Sequence, residues 1–449
     1  MVRKLLGLLA AALLLTGLSV TSAAAHPSHR GLRPVIFVHG FTGSGAQFET
    51  QARRLASNGY PASSIEAHEY DSLFTVNTIA QVFEALDARI ARLLDSTHAD
   101  RADLLAHSLG TRLMQDYLNS SPARAATVAH YVNLDGATAT ALPGNVPTLA
   151  VWGEGSTART IAGATNVYLS DHSHTQVVTS SVTFTELFRF FTGQTPRTTD
   201  VVAEPGRIHL SGRAVLFPAN VGAAGTRLEV FEVDGETGAR KHRRPDAVFP
   251  IGAEGSWGPF AARGSAHYEF AIVWNDSLVH HFYYQPFRRT DRLVRLNTAR
   301  PGEGLGAQTE VSDRQTNLVV VRQKEWWGDQ GAGSDSMSID RQEVLNAATS
   351  PRTKRVIAMF AYDVHVDGVT DLSAPIPFFF SQPFISGVDL FMPAAPSPDR
   401  MIALVARPRG GNGHVDRIGI PNWRSTENRI TVQFDDYVQD GRTRDDDDD

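Results

Sequence analysis

The sequence predicts an α/β domain with a mostly parallel sheet and helices on both faces, followed by an all-β half built as a sandwich or barrel. Apolar strands alternate with amphipathic helices over residues 30–196, which is the order of elements that winds a parallel sheet. From Gly206 onward the apolar residues recur with period two, and turns rich in glycine and proline separate the runs. That second pattern is typical of all-β domains.

The composition excludes several classes of protein. The chain has 449 residues, 42% of them hydrophobic and 20% charged, and its formal net charge is −6. This length suits two or three domains of about 150 residues, and the charge does not favour a nucleic-acid partner. With 0 cysteines, disulfides and thiolate metal sites are excluded. We expect no cofactor and no metal, since Asp329, Asp335 and Asp340 lack the spacing of a calcium loop.

The N-terminus has the pattern of a secretory signal peptide. Arg3 and Lys4 precede an apolar stretch at residues 5–15, and small residues follow up to Ala25. We therefore predict a signal peptide over residues 1–25, cleaved near Ala25, and a secreted protein with no transmembrane segment after cleavage. A retained anchor is the alternative, although the apolar stretch is short for a spanning helix.

Strands and helices alternate along the predicted α/β domain, residues 30–196. Besides an apolar strand that ends at Ser108, the predicted strands are residues 34–41, 65–70, 129–134, 148–152 and 166–169. The predicted helices are residues 47–57, 76–94, 109–118 and 182–191. In the helix at 76–94, apolar residues recur at three- and four-residue steps, which indicates a helix lying on a sheet.

The β half is predicted to hold two domains and a tail. Residues 204–298 form a sandwich or barrel, residues 299–441 form a second β-rich domain, and residues 442–449 form an acidic disordered tail. The period-two strands fall at residues 207–210, 227–231, 267–274, 318–321, 356–362, 402–406 and 429–434. Apolar clusters at residues 378–380, 383–385 and 390–393, and the pair Trp326-Trp327, are either core strands with a buried indole or an exposed patch that contacts lipid.

Ser108 is the candidate nucleophile. It stands between an apolar strand and a helical pattern, with Ala106 two residues before it and Gly110 two residues after it. Such small neighbours suit the strained turn that exposes a serine hydroxyl between a strand and a helix, the nucleophile elbow. By itself the pattern also fits an ordinary strand-to-helix turn.

A serine hydroxyl needs a base to remove its proton and a carboxylate to orient that base. Asp135 follows an apolar strand directly, where the carboxyl ends of parallel strands place ligands, although an Asp-Gly pair also forms ordinary turns. His172 and His174 lie in the polar loop before the last helix, and both are candidates for the base. Asp171 is the second candidate for the carboxylate.

Two backbone N–H groups are expected to bind the developing oxyanion. Leu109 follows the nucleophile at a helix N-terminus, and Phe41 follows His39-Gly40 at the end of the first strand. We interpret His39 as a residue that shapes this loop. The order of these parts along the chain is the order that this fold requires.

The sequence also resembles the α/β-hydrolase lipases, and within them the archaeal two-domain type whose hydrolase domain is followed by a β-barrel lipid-binding domain. The residues that carry the resemblance are 35–41, 47–49, 56–62, 106–110, 119–122, 134–136, 164–168, His174 and Gln176. The resemblance covers residues 33–200 well and the β half loosely.

The resemblance implies Ser108 as nucleophile, Asp135 as acid, His174 rather than His172 as base, and the N–H groups of Phe41 and Leu109 as oxyanion donors. Two features depart from the family pattern. Ala106 replaces the first glycine of the elbow, and only residues 71–74 stand where the relative inserts a helical lid. The site is therefore expected to be open, and interfacial activation is not assumed.

The sequence thus predicts a secreted serine hydrolase of carboxylic esters, a lipase or carboxylesterase that works through an acyl-enzyme. Thioesters, polyesters and phospholipids remain alternative substrates. The alternative from another class is a catalytically inactive exported protein that binds lipid or glycan. Because a histidine base must be neutral and ordinary histidine titrates at about pH 6.5, activity is expected to decline in acid.

Overall fold

A computed structural model describes residues 31–155, 157–275, 278–395 and 397–438. The predicted signal peptide and acidic tail lie outside the described residues. No helix within the described ranges has the length and apolar character needed to cross a membrane.

The first sheet is parallel and has the order β2-β1-β3-β4-β5-β6. Its strands are β1 (Val35–Val38), β2 (Ile65–His68), β3 (Ala102–His107), β4 (Val128–Leu134), β5 (Thr148–Trp152) and β6 (Thr165–Tyr168). The helices of this region are α1 (Glu49–Ser57), α2 (Ile79–Thr97), α3 (Leu109–Ser120), α4 (Pro122–Ala126), α5 (Gln176–Thr179) and α6 (Ser181–Thr192).

Helices cover both faces of this sheet, as the near-continuous apolar strands require. Val35 and Phe37 of β1 lie in a core with α1 and α6. Ile36 and Val38 alternate to the other face, in a core with α2 and α3. The predicted α/β fold class is confirmed.

Helix α2 starts later than the sequence predicts. Val76 is 54% exposed and Ile79 is 50% exposed, so neither belongs to the buried stripe. The reason is local: the buried Asp71 carboxylate accepts hydrogen bonds from the backbone N–H groups of Leu73, Thr75 and Val76. These bonds close a turn before the helix begins.

Over its described residues, the β half contains one large sheet and two small ones. The large sheet has the order β10-β9-β12-β13-β22-β15-β18-β19, with strands β9 (Arg227–Val233), β10 (Ala247–Pro250), β12 (His267–Asn275), β13 (Leu278–Tyr284), β15 (Leu318–Trp326), β18 (Val356–Tyr362), β19 (Ile385–Asp389) and β22 (Asn428–Gln433). The second sheet comprises β7 (Arg207–Leu216), β8 (Val221–Gly222), β11 (Ser256–Arg263) and β14 (Asp291–Thr298). The third comprises β16 (Ser336–Ile339), β17 (Gln342–Glu343), β20 (Met401–Arg407) and β21 (Asp416–Pro421), and one short helix, α7, spans Pro377–Ser381.

The two small sheets cover opposite faces of the large one. On β13, Phe282 lies in the core shared with β7, β11 and β14. Its neighbour Tyr283 lies in the core shared with β16, β20 and β21. Successive residues of a strand point to opposite faces, so each small sheet packs on its own side. The all-β class predicted for this half is confirmed.

The last strand joins the two predicted β domains. Strand β22 pairs with β13 on one side and β15 on the other. The boundary at residue 298 stays a prediction, because one sheet runs through both regions. Trp326 and Trp327 are 0% and 8% exposed, which favours the core interpretation for this pair.

A buried ion cluster joins the α/β sheet to the β half. Glu69, just after β2, accepts hydrogen bonds from Arg295 Nε and Arg213 Nη1, each at 2.7 Å. Its side chain is fully buried. Burial alone would raise the pKa of Glu69, but the two guanidinium groups hold it well below its usual range. The carboxylate therefore stays charged and binds the two halves together.

We expect Arg295→Leu to lower the free energy of unfolding by about 3–5 kcal/mol, because it leaves a buried carboxylate with one partner fewer. Guanidinium denaturation measures the change. The matched control is Arg300→Leu, which breaks an exposed pair with Glu303 and should cost less than about 1 kcal/mol. Equal losses in the two variants would contradict the cluster's role.

Candidate active site

Ser108 occupies a strained turn between β3 and α3. Its φ is 51° and its ψ is −122°, a conformation that non-glycine residues rarely adopt. The surrounding backbone requires small residues: a Cβ on Gly110 would lie 2.4 Å from the His39 carbonyl oxygen, and a Cβ on Gly40 would lie 2.9 Å from Ser108 Cβ. The structure therefore has the nucleophile-elbow geometry.

Asp135 and His174 are hydrogen bonded to each other. Asp135 follows β4, the neighbour of β3, and its Oδ2 accepts a hydrogen bond from His174 Nδ1 at 2.5 Å. The Asp135 side chain is 4% exposed and that of His174 14%. Oδ1 accepts from the Gly153 N–H at 2.9 Å and from Arg159 Nη1 at 2.6 Å.

These donors keep the Asp135 carboxylate ionised. Burial would raise its pKa, but the hydrogen bond from His174 and the nearby charges and N–H groups hold it well below its usual range. An ionised carboxylate on Nδ1 leaves Nε2 of His174 as the nitrogen that can accept a proton.

The loop that carries His174 lies against the elbow. His107, next to Ser108, donates from Nε2 to the His174 carbonyl oxygen at 3.0 Å, and the two rings lie 4.5 Å apart. Burial lowers the pKa of His107, so its ring is a neutral donor. Among the described residues, the Ser108 hydroxyl makes no hydrogen bond to His174; such bonds are often long without substrate and tighten when it binds.

His172 has different partners. Its Nδ1 donates to Asp171 at 2.8 Å, and its Nε2 lies 2.9 Å from Ser180 Oγ. Asp171 is 84% exposed. The structure thus brings Asp135 to His174, while the second candidates, Asp171 and His172, pair with each other away from Asp135.

The N–H groups of Phe41 and Leu109 flank the elbow. Leu109 is the first residue of α3, where helix N–H groups lack an acceptor in the helix. The Phe41 N–H follows Gly40 and donates to no acceptor within the described residues. Gly40, which precedes Phe41, lies against Ser108, so both N–H groups belong to segments that contact this residue.

The loop that carries Phe41 is held by a buried residue of the β half. Asn220, in the turn between β7 and β8, donates from Nδ2 to the carbonyl oxygens of Gly43 at 2.9 Å and Tyr70 at 3.0 Å. It also lies 3.3 Å from Nε2 of His39, whose Nδ1 donates to the Gly40 carbonyl. Burial lowers the pKa of His39, so this ring shapes the loop as a neutral group.

Sequence reasoning missed three side chains near the site: Arg159 on Asp135, Asn220 on the Phe41 loop, and Glu325, which accepts from the Thr175 N–H. Nothing in the local sequence of Asn220 or Glu325 distinguishes it from an ordinary turn or strand residue. Arg159 lies near Asp135 in sequence, but its loop has no regular pattern.

This fold, with Ser108 in an elbow turn between a strand and a helix, is that of the α/β hydrolases. Residues 30–207 match the family model of lecithin:cholesterol acyltransferase. Residues 206–301 match the lipase C-terminal domain, and residues 304–438 match a further C-terminal domain. These matches support an α/β-hydrolase lipase with a C-terminal domain, and the predicted resemblance is confirmed.

Solved structures with partial likeness include two lipases. Lipase B of Aspergillus fumigatus is 15% identical with a TM-score of 0.30, over 40% of this chain and 56% of that one. The chain thus spans little more than half of that lipase. The propeptide form of Bacillus licheniformis lipase BlEst2 is 11% identical with a TM-score of 0.29, over 87% and 93% of the two chains. No curated protein matches the sequence significantly.

We expect Asn220→Gly to destabilise the protein by about 1–3 kcal/mol, because it leaves buried carbonyl groups without donors. Glycine accepts the φ of 57° at this position, so the change tests the hydrogen bonds alone. Thermal unfolding and ester turnover are the measurements, and kcat should fall with stability as the Phe41 loop loosens. Asn412→Gly, at an exposed position with φ of 49°, is the control and should change neither.

Proposed function

We propose that this protein is a secreted carboxylic-ester hydrolase, a lipase or carboxylesterase, with Ser108, His174 and Asp135 as its triad. The observation that supports this most strongly is the 2.5 Å hydrogen bond between His174 and the buried Asp135. The loop that carries His174 is in turn hydrogen bonded to His107, the residue before Ser108. The matches to the lecithin:cholesterol acyltransferase model over the α/β region and to the lipase C-terminal domain after it give independent support.

The reaction proceeds in two halves. His174 Nε2 takes the proton of Ser108 while Oγ attacks the ester carbonyl, and the N–H groups of Phe41 and Leu109 bind the oxyanion. The C–O bond to the alcohol breaks, and the alcohol leaves with the proton from His174. Water, deprotonated by His174, then attacks the acyl-enzyme, and the fatty acid leaves as Ser108 regains its proton.

Apolar side chains near the elbow support a lipid substrate. Phe41 is 44% exposed, and Leu73 and Phe74 are 47% and 36% exposed. The two segments are joined by a hydrogen bond from the Thr42 N–H to Ser72 Oγ at 2.7 Å. An apolar surface beside the reacting atoms favours acyl chains over polar esters.

We expect Ser108→Ala to lower turnover of a p-nitrophenyl ester about a thousandfold or more, with the fold intact by circular dichroism. A fluorophosphonate should add one phosphonyl mass at Ser108 of the wild type and none to the variant. Mass spectrometry of the mature protein reads this out.

The labelling result also separates the two classes of function. An unlabelled wild type with no ester turnover would exclude the esterase and favour the inactive protein that binds lipid or glycan. Turnover that survives in Ser108→Ala would place the nucleophile elsewhere.

We expect Asp135→Asn to lower kcat by about three to four orders of magnitude near neutral pH, because the amide cannot stabilise the protonated histidine. In the wild type, kcat/KM should fall in acid, because a histidine that acts as a general base must be neutral. The pKa of Asp135 is lowered from the ordinary aspartate value of 3.8, so this carboxylate stays charged until the pH is well below 3.8. A pH–rate profile that keeps full activity at pH 4 would contradict a histidine base.

A further inference from the structure

We propose that Glu325, a residue of the β half, is a positioning residue for His174. The inference rests on the proposed function, since it assigns His174 as the base. It identifies a side chain 150 or more positions along the chain as the group that fixes the loop of this base.

Glu325 contacts the residues on both sides of His174. Its Oε1 accepts a hydrogen bond from the Thr175 N–H at 2.7 Å, and its Oε2 accepts one from the Ser173 hydroxyl. Glu325 and Ser173 are 0% exposed, and Thr175 is 3% exposed. One carboxylate therefore holds the side chain of the residue before the histidine and the backbone of the residue after it, in a place that water does not reach.

A third contact to this loop is the hydrogen bond from His107 to the His174 carbonyl oxygen. Three consecutive residues of an otherwise irregular loop are thus tied to fixed partners, and the ring of the middle residue points at Asp135. The Phe384 ring, also from the β half, stacks near the imidazole at 6.0 Å and 16° between planes. Errors of about 1 Å in such a placement can cost about a hundredfold in rate.

Glu325 is itself held rigidly. Arg322 Nη2 donates to its carbonyl oxygen at 2.6 Å, and Arg409 donates to the same oxygen. Both arginines pair with the buried Asp335. Arg409 also reaches the side chain of Gln176 at 3.2 Å, two residues beyond the base. The backbone that carries the Glu325 carboxylate is therefore fixed in position.

Within the part of the chain that the structure describes, the donors to the Glu325 carboxylate are a hydroxyl and a backbone N–H, and no cation forms an ion pair with it. Burying a carboxylate on neutral donors is costly unless they are well placed. The two oxygens match two donors that flank a single residue, and this match identifies His174 as what the contact fixes.

The test compares three variants with the wild type. Glu325→Met keeps the length of the side chain and removes both acceptors, whereas Glu325→Gln can still accept from the Thr175 N–H and donate to Ser173 Oγ. The matched control is Glu269→Gln, which removes a buried carboxylate from a pair with Arg240 and His281, away from the loop of His174. Each is assayed for kcat, KM and amide hydrogen exchange of the peptide spanning residues 172–177.

We expect Glu325→Met to lower kcat about ten- to a hundredfold with KM within about twofold, and to speed exchange in that peptide. Glu325→Gln should recover most of the wild-type kcat and most of the wild-type protection from exchange. Glu269→Gln should lower stability while leaving kcat and loop exchange unchanged. If Glu325→Met does not fold, Ser173→Ala is the substitute, because it removes one of the two contacts. It should lower kcat and speed exchange in the same peptide, both by smaller factors.

The inference is overturned if Glu325→Met retains the kcat and loop exchange of the wild type, or if Glu269→Gln lowers kcat as much. It is also overturned if Glu325→Gln is as impaired as Glu325→Met, because the negative charge and not the hydrogen bonds would then matter. A wild type without ester turnover would defeat the proposed function instead, and hydrogen exchange would still decide whether Glu325 holds the loop.

Discussion

The chemistry proposed for this site depends on the hydrogen bond between His174 and Asp135. Asp135 is fixed by its place at the end of a sheet strand, but His174 lies in an irregular loop after β6. A 2.5 Å bond to a buried carboxylate leaves the other ring nitrogen free to take a proton, and it requires the loop to lie in one position. The contacts around that loop are therefore as important as the triad residues themselves.

The β half provides contacts to this loop and to the loop that carries Phe41. Asn220 bonds Gly43 of the Phe41 loop and Tyr70 of the segment after β2, and Glu69 joins the same region to Arg213 and Arg295. Glu325 bonds the loop of His174. In the proposed mechanism, the hydrolase sheet supplies the reacting groups and the β half holds the loops that position them. This explains why the two halves belong to one compact unit.

Local pattern predicted the fold class and the Ser108 turn, because strand periodicity and small flanking residues are encoded within a few positions. Local pattern left His172 and His174 open, since both stand in one polar loop, and only the family resemblance favoured His174; the three-dimensional path of the loop decides which ring meets Asp135. Asn220 and Glu325 could not be predicted: their partners lie 150 or more positions away along the chain, and no local pattern records such a contact. The late start of α2 had a local cause in Asp71 that periodicity alone does not capture.

We propose that Ser108, His174 and the N–H groups of Phe41 and Leu109 converge on one reacting carbonyl. A crystal structure of the protein after reaction with an alkyl fluorophosphonate tests this convergence. We expect phosphorus bonded to Ser108 Oγ, a phosphonyl oxygen about 2.7–3.1 Å from both backbone nitrogens, and His174 Nε2 within hydrogen-bonding distance of the adduct. An adduct whose oxygen points away from those N–H groups, or with His174 turned from Asp135, would contradict it.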